Sequence, residues 1–276
     1  IRNKKKNTKM KIKFPVKKSK KFIENFFIKK GLKSLVGISK NAPIEPVNPK
    51  ASLNPTPPEL DDLYNLYQYI FLNKRITICE FGSGWSSLIF SLALYDLKNK
   101  YFKDVKDLRA NNPYELFIVD DVKYFLNISK NRIEKFNNLL NIKNPTKINY
   151  TRTDVEMTLF NDRICNAYKK LPLCNPDFIY LDGPNQYKIK KKINGITVKH
   201  IDLMPMNCDI LKMEYFYKPG TIIVCDGRAA NAKFLRDNFT RNWQYYNDKK
   251  SDQHIFYLND PSLGKYNDLQ LKFYNK

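Results

Sequence analysis

Three features of the sequence predict an α/β fold: a three-layer α/β/α sandwich around a mostly parallel, seven-stranded sheet with a C-terminal antiparallel strand. From about residue 59, strand-like and helix-like patterns alternate, which in one chain gives parallel strands joined by crossover helices. The strand centres, as in "RITICEF", "YELFIVDD" and "GTIIVCDGR", are almost continuously apolar, the mark of strands covered on both faces. Polar residues then gather just after the last apolar residue of successive strands, at Glu80, Gly82, Gly84, Asp120, Asp182 and Asp226. Open parallel sheets bind their ligands at those carboxyl ends.

The elements follow in order. "ELDDLYNLYQYIFLN" is a helix whose first turn carries acids, favourable at the positive end of the helix dipole. "RITICEF" is the first strand and runs into the turn "GSG", after which a helix extends from about Ser86 to Leu97. "YELFIVDD" is the second strand. Phe125, Ile128, Ile133, Phe136 and Leu140 recur at helical spacing and predict the next helix. "KINYTRTD" is a short third strand, "PDFIYLDGP" a fourth and "GTIIVCDGR" a fifth, with the helix "DILKMEYFY" between the last two and "NAKFLRDNF" after them. The chain closes on "NWQYYND" and "HIFYLND", two strand-like runs with a hairpin-like connection. After the fourth strand, residues 185–201 form a lysine-rich insertion. Asn194-Gly195 between alternating residues predicts a hairpin there, a flap carrying Lys188, Lys190, Lys191, Lys192, Lys199 and His200.

Composition divides the chain into three regions. Residues 1–40 hold fifteen Lys or Arg against one acid, Glu24, a surplus of 14 in a formal net charge of +22. Phe22, Ile23, Phe26, Phe27, Leu32, Leu35 and Val36 lie near helical spacing within this segment. It reads as a basic arm, amphipathic or disordered, suited to peripheral contact with an anionic membrane surface. A single Arg and no recognised RNA-binding motif weigh against nucleic acid as its partner. Residues 41–58 read as a proline-rich linker, since six prolines between Asn41 and Leu60 exclude a helix or a central strand. Residues 59–276 are the α/β domain. The five cysteines contain no CxxC pair and share no metal-ligand spacing with the two histidines, so neither a disulfide framework nor a zinc site is expected. A cytoplasmic protein is expected, membrane-associated if the arm serves that purpose. No apolar run approaches the roughly 20 residues that span a bilayer.

An acid-x-Gly-x-Gly turn after the first strand ("EFGSG"), an acid closing the second ("VDD") and a final strand pair occur here in the order found in class I S-adenosylmethionine-dependent methyltransferases. Residues 59–276 resemble that superfamily. A dinucleotide fingerprint would instead require a third glycine where Ser87 stands. The resemblance implies a Rossmann-like fold and transfer of a methyl group to oxygen or nitrogen. It further implies S-adenosyl-L-methionine held by Glu80, Gly82, Ser83, Gly84, Trp85, Ser86, Asp120 and Asp154. In that arrangement Glu80 takes the ligand's ammonium directly or through water, Asp120 rather than Asp121 takes the ribose hydroxyls, and Asp154 takes the adenine amino group. The ligand has no pyrophosphate, so the turn needs close backbone approach and no phosphate nest.

Asp182 and Asp226 end neighbouring strands on the side where a methyl acceptor would bind, and two mechanisms stay open for them. In one, an aspartate takes the proton from an acceptor hydroxyl or amine while the methyl group passes in line. In the other, both carboxylates hold Mg²⁺, which lowers the pKa of the acceptor hydroxyl. The metal-dependent mechanism resembles that of the catechol-type O-methyltransferases, whose Asp-Asn pair at the outer of these two strand ends is Asp226-Gly227 here. Asn231 would then have to return as the third ligand. His200 is a further candidate base. Arg228, Asn231 and Lys188 are candidates for substrate binding, because a cationic flap suits a phosphate or carboxylate, and arginine pairs with such groups through two hydrogen bonds. The acceptor is expected to be a small molecule or glycan-linked group. Two rivals also stay open: a nucleic-acid methyltransferase using the arm, in which "DGPN" replaces the usual Asn/Asp-Pro-Pro-aromatic motif, and a non-catalytic module that only binds the ligand.

Overall fold

The computed structural model describes residues 10–41, 54–200 and 202–276. Most of the proline-rich stretch expected to be a linker lies outside these residues, as do the first nine residues of the basic arm.

The strands, in chain order, are β1 (Thr77–Phe81), β2 (Glu115–Asp120), β3 (Lys147–Arg152), β4 (Val155–Phe160), β5 (Arg163–Tyr168), β6 (Phe178–Leu181), β7 (Ile222–Asp226), β8 (Trp243–Asp248) and β9 (Gln253–Leu258). Seven of them form one sheet of order β3-β2-β1-β6-β7-β9-β8, and β4 and β5 pair separately. Only β9 runs against its neighbours in the large sheet, pairing antiparallel with both β7 and β8. The other contacts in that sheet are parallel. This is the Rossmann-like sandwich the apolar runs predict. The chain steps outward from β1 to β3 and then returns to lay β6 beside β1, so the strand order switches at the β1–β6 junction. Crevices open at such a switch point.

Side chains alternate between the two faces of each strand, and two cores result. On one face Ile78, Ile118, Tyr180, Val224 and Ile255 pack with the helices α3 (Leu60–Leu72) and α4 (Trp85–Val105). On the other, Phe81, Val119, Leu181 and Cys225 pack with Ile210 and Leu211, from a short helix at Asp209–Lys212, and with Ala232 and Leu235, from a helix at Ala229–Asn238.

The basic arm belongs to the first core. Ser19 accepts a hydrogen bond from the Phe22 N–H (3.3 Å) and caps a helix at Lys20–Lys29, which is followed by another at Lys33–Lys40. Ile23, Phe27, Leu32, Leu35 and Val36 are buried with the residues of α3 and α4. The two helices carry apolar residues on one side. Much of this apolar stripe is nevertheless spent inside the protein, although Phe22, Ile28 and Ile38 stay exposed, and Lys30 turns in to pair with Asp96 (2.6 Å). Upstream, Lys13 and Asn73 exchange two hydrogen bonds (2.8 and 2.9 Å), and Met10 is buried beside Arg75. No helix among the described residues is long and apolar enough to cross a membrane.

The hairpin β4–β5 has no counterpart in the sequence reading. It occupies the connection from β3 to β6, where a crossover helix is the usual element. Asn161 and Asp162 both adopt positive φ (47° and 59°) at its turn, the conformation whose twist suits a two-residue hairpin. The predicted flap hairpin is smaller than expected. Ile193 and Ile196 exchange both backbone hydrogen bonds around Asn194-Gly195 (3.2 and 2.9 Å), but they form an isolated bridge. The flap is anchored instead along β4, where Lys190 donates to the Val155 carbonyl (3.0 Å) and accepts from the Met157 N–H (2.9 Å).

Candidate functional site

Strand register builds the site. Phe81 pairs with Val119 and with Leu181, and Leu181 pairs with Cys225. The residues that follow, Asp120, Gly82, Asp182 and Asp226, therefore line up along the carboxyl edge of four adjacent strands. Gln253, the first residue of β9, stands opposite Asp226.

The two glycines of the turn do different work. Gly82 has φ 97°, and a Cβ on it would lie 2.9 Å from the Gly183 nitrogen and 3.0 Å from the Asp182 carbonyl carbon. A Cβ on Gly183 would come within 2.5 Å of the Gly82 nitrogen. The close approach that Gly82 permits is thus backbone on backbone between the β1 and β6 turns. Gly84 is different: a Cβ there would meet only the Ser86 hydroxyl, at 3.8 Å, so the space beside it is open.

Glu80 is fully buried, with one carboxylate oxygen accepting from Ser86 Oγ (2.5 Å) and the other from Ser87 Oγ (2.6 Å). Ser87 Oγ in turn accepts from the Gly84 N–H (3.3 Å). Burial pushes the Glu80 carboxyl up to about 8 despite the two serine hydroxyls. Asp120 accepts from Ser83 Oγ (2.5 Å) and from the Val122 N–H (2.8 Å). It is pushed up to about 7, again chiefly by burial. Trp85 stacks on Arg132, whose guanidinium carbon lies 3.7 Å from the ring centre. The two residues border a cavity of about 520 Å³ that also touches Ile38 and Pro57.

Asp154 sits in a different setting from the one the resemblance implies. Its carboxylate is held by Lys190 (2.7 Å) and Arg152 (2.9 Å), and the Lys190 hydrogen bond draws it below the usual carboxylate range. Lys191 similarly pairs with Glu156 (2.5 Å). These flap lysines neutralise the flap's own neighbours.

Arg228 spends its guanidinium on backbone. Its Nη2 donates to the Asp182 carbonyl (2.6 Å) and the Pro184 carbonyl (3.0 Å), while its Nε lies 3.8 Å from the Asp182 carboxylate. It therefore clamps the Asp182-Gly183-Pro184 turn, in contrast to the expected anchor for an anionic substrate. Loss of the clamp should be measurable: Arg228→Ala is expected to lower stability in urea by about 1.5–3 kcal/mol, the range for hydrogen bonds from a charged donor. Arg228→Lys should recover less than half of that, because one ammonium does not reproduce the planar fork.

Asn231 is buried and exchanges two hydrogen bonds with the backbone of Asn207 (2.8 and 3.2 Å). That commitment replaces its expected return toward Asp226. No group of three or more His, Cys, Asp or Glu among the described residues is arranged to hold a metal ion. Lys188 is exposed, and its charge acts on Asp121, which also accepts from the Asn185 N–H (3.2 Å). His200 is exposed on the flap, 3.9 Å from Asp202.

On the acceptor side, the Asp182 carboxylate is open to solvent (55% exposed), whereas Asp226 is half-buried and accepts from the Tyr180 hydroxyl (2.5 Å). Burial first and the Asp182 charge second push Asp226 up to about 7. Asp62, in the first turn of α3, is pushed up to about 8 by burial and by the charge of Asp226. The sequence reading assigns that turn to the helix dipole alone. The available signal is spacing: Asp62 stands one helical turn before Leu66 and two before Tyr69, on the stripe that faces the core.

No protein-family profile and no curated protein matches the chain. Among solved structures, the chain is similar to the O-methyltransferase TomG from Streptomyces achromogenes, involved in tomaymycin synthesis and solved in complex with SAM. Identity is 11%, coverage is 88% of this chain and 91% of that one, and the TM-score is 0.35. It is also similar to CalS11, a TDP-rhamnose 3'-O-methyltransferase of calicheamicin biosynthesis, at 11% identity, 91% and 97% coverage and a TM-score of 0.41.

Proposed function

We propose that the chain is an S-adenosyl-L-methionine-dependent methyltransferase acting on a small-molecule or glycan-linked acceptor. The observation that carries this reading is the carboxyl edge. Glu80, Asp120, Asp182 and Asp226 gather at the ends of four adjacent parallel strands, around a turn in which Gly84 leaves open space. The residues present suit the ligand. Two buried carboxyls, Glu80 and Asp120, have only hydroxyl and N–H partners to offset burial, and a sulfonium nucleoside offers an ammonium to one and ribose hydroxyls to the other. Held there, it supplies an electrophilic methyl group.

The protein's own part is alignment and proton handling. Asp182 lies one strand from the glycine turn and takes the proton released by an acceptor hydroxyl or amine. Arg228 fixes the turn that carries Asp182, and Asp226 shapes the acceptor side one strand farther out.

Calorimetric titration with S-adenosylhomocysteine tests the reading. The chain is expected to bind it, and Gly84→Asp is expected to abolish binding while keeping a cooperative unfolding transition, because the new side chain enters open space beside buried acids. Absence of heat with the parent chain would sink the proposal.

A further inference from the structure

We infer that the acceptor carries a positive charge: an amine or amino alcohol whose ammonium docks among Asp62, Asp226 and Gln253. This rests on the methyltransferase reading for its meaning but has its own observations. Three segments meet at these residues. One is the first turn of α3. Another is the end of β7, where Asp226 holds the Tyr180 hydroxyl. The last is the β8–β9 turn, tied to α3 by a hydrogen bond from Asn65 to Ser251 (2.9 Å) and to β7 by one from the Gly227 N–H to the Asp252 carbonyl (3.0 Å).

The titratable groups gathered here are acids, which a docked cation would hold in their ionised form. Asp226 raises the carboxyl of Asp62, and Asp182, Glu59 and Asp252 raise that of Asp226. Nearby cations are committed to other partners: Arg228 to the Asp182 and Pro184 carbonyls, Lys190 to Asp154 and Lys191 to Glu156. Lys17 lies 3.7 Å from Asp248, farther along the sheet. An acceptor bearing phosphate or carboxylate, the class the lysine-rich flap suggests, would enter a field of its own sign.

Gln253 points independently to a ligand. It has no exposed surface, yet neither its amide oxygen nor its amide nitrogen has a hydrogen-bond partner. In register it stands between Asp226 and Asp248, so the three side chains rise from the same face of the sheet, the face that α3 covers. Buried carboxamides are normally satisfied. An ammonium between Asp62 and Asp226 would donate to the amide oxygen, and a hydroxyl on the neighbouring carbon would accept from the amide nitrogen. Asp182, outside this triad, keeps its carboxylate for the proton.

Saturation-transfer NMR on the full chain with S-adenosylhomocysteine present, using D-glucosamine, D-glucose and D-glucuronate as probes of one scaffold and three charges, tests the inference. Glucosamine is expected to bind at least about tenfold more tightly than glucose, the worth of one charge-assisted hydrogen bond, and glucuronate is expected to give no signal. Asp62→Asn and Gln253→Leu should each weaken glucosamine about tenfold while leaving the heat of S-adenosylhomocysteine binding unchanged. Equal signals from the three sugars, preference for glucuronate, or variants that bind glucosamine like the parent would overturn it. So would Mg²⁺ displacing glucosamine from the parent but not from Asp62→Asn, which would assign the acids to a metal. If a variant fails to fold, the ranking of the three probes on the parent decides. A glucosamine preference without S-adenosylhomocysteine binding would uphold the cation site and remove the methyltransferase reading; the reverse result would do the opposite.

Discussion

Gly183→Ala is expected to cost the fold at least about 3 kcal/mol, the upper end of what overpacking costs, and Gly84→Ala, one turn away, less than about 0.5 kcal/mol. The added methyl on Gly183 would lie 2.5 Å from the Gly82 nitrogen, 2.7 Å from its Cα and 2.8 Å from the Phe81 carbonyl carbon. All three are backbone atoms of β1 and its turn, so no rotamer change relieves the overlap. The β1–β6 junction would have to part, at the point where Phe81 and Leu181 are paired and the Asp182 N–H donates to the Phe81 carbonyl (2.9 Å). For a chain of this size, 3 kcal/mol corresponds to a fall of about 6–12 °C in the unfolding midpoint. Thermal unfolding of the two variants side by side checks this, and equal midpoints would show that the junction is looser than the contact distances imply.

That contrast also marks how far the sequence could be read. The pattern "EFGSG" announces a tight turn, and two glycines there invite one explanation for both. Only the fold separates them, because Gly183, the residue that Gly82 must accommodate, lies a hundred residues downstream. The same holds for charge. Arg228 and Asn231 are legible as hydrogen-bonding residues near a strand end, but their partners, the carbonyls of Asp182 and Pro184 and the backbone of Asn207, belong to loops whose paths the sequence does not state. Lysine-rich flaps look cationic until Asp154 and Glu156 are found beneath them.

The parallel strands were legible because burial on both faces makes them continuously apolar. Helical period in the arm was legible for a similar reason, although a period reports that one face is apolar and not whether lipid or protein covers it. In the β4–β5 hairpin the alternation of "VEMTLF" and the Asn161-Asp162 turn were present in the chain. They compete with the strong expectation of a helix between parallel strands.

Glu80→Gln is expected to make the protein more stable at neutral pH and to leave it unchanged near pH 4. In the folded state Glu80 titrates at about 8, chiefly because burial penalises its charge, whereas an unfolded glutamate titrates near 4.3. The folded state therefore holds a proton that the unfolded state releases between those values. Stability from this group is fully present below about pH 4 and is lost as pH rises toward 8. At pH 7 the loss is on the order of 3 kcal/mol. The amide keeps the shape, accepting from one serine and donating to the other, without the charge. Urea midpoints of the parent and the variant should coincide near pH 4 and diverge steadily up to pH 8; a difference that stays constant with pH would refute the assignment. Asp120, pushed up to about 7, and Asp62, pushed up to about 8, act in the same direction, so subtracting the variant's curve from the parent's isolates Glu80. A buried carboxyl that costs stability at working pH is maintained for some other return. If that return is the ammonium of the methyl donor, Glu80→Gln should weaken S-adenosylhomocysteine by at least about tenfold in the same samples that gain stability. If Glu80 served only to hold Ser86 and Ser87 at the start of α4, the gain would come without that loss.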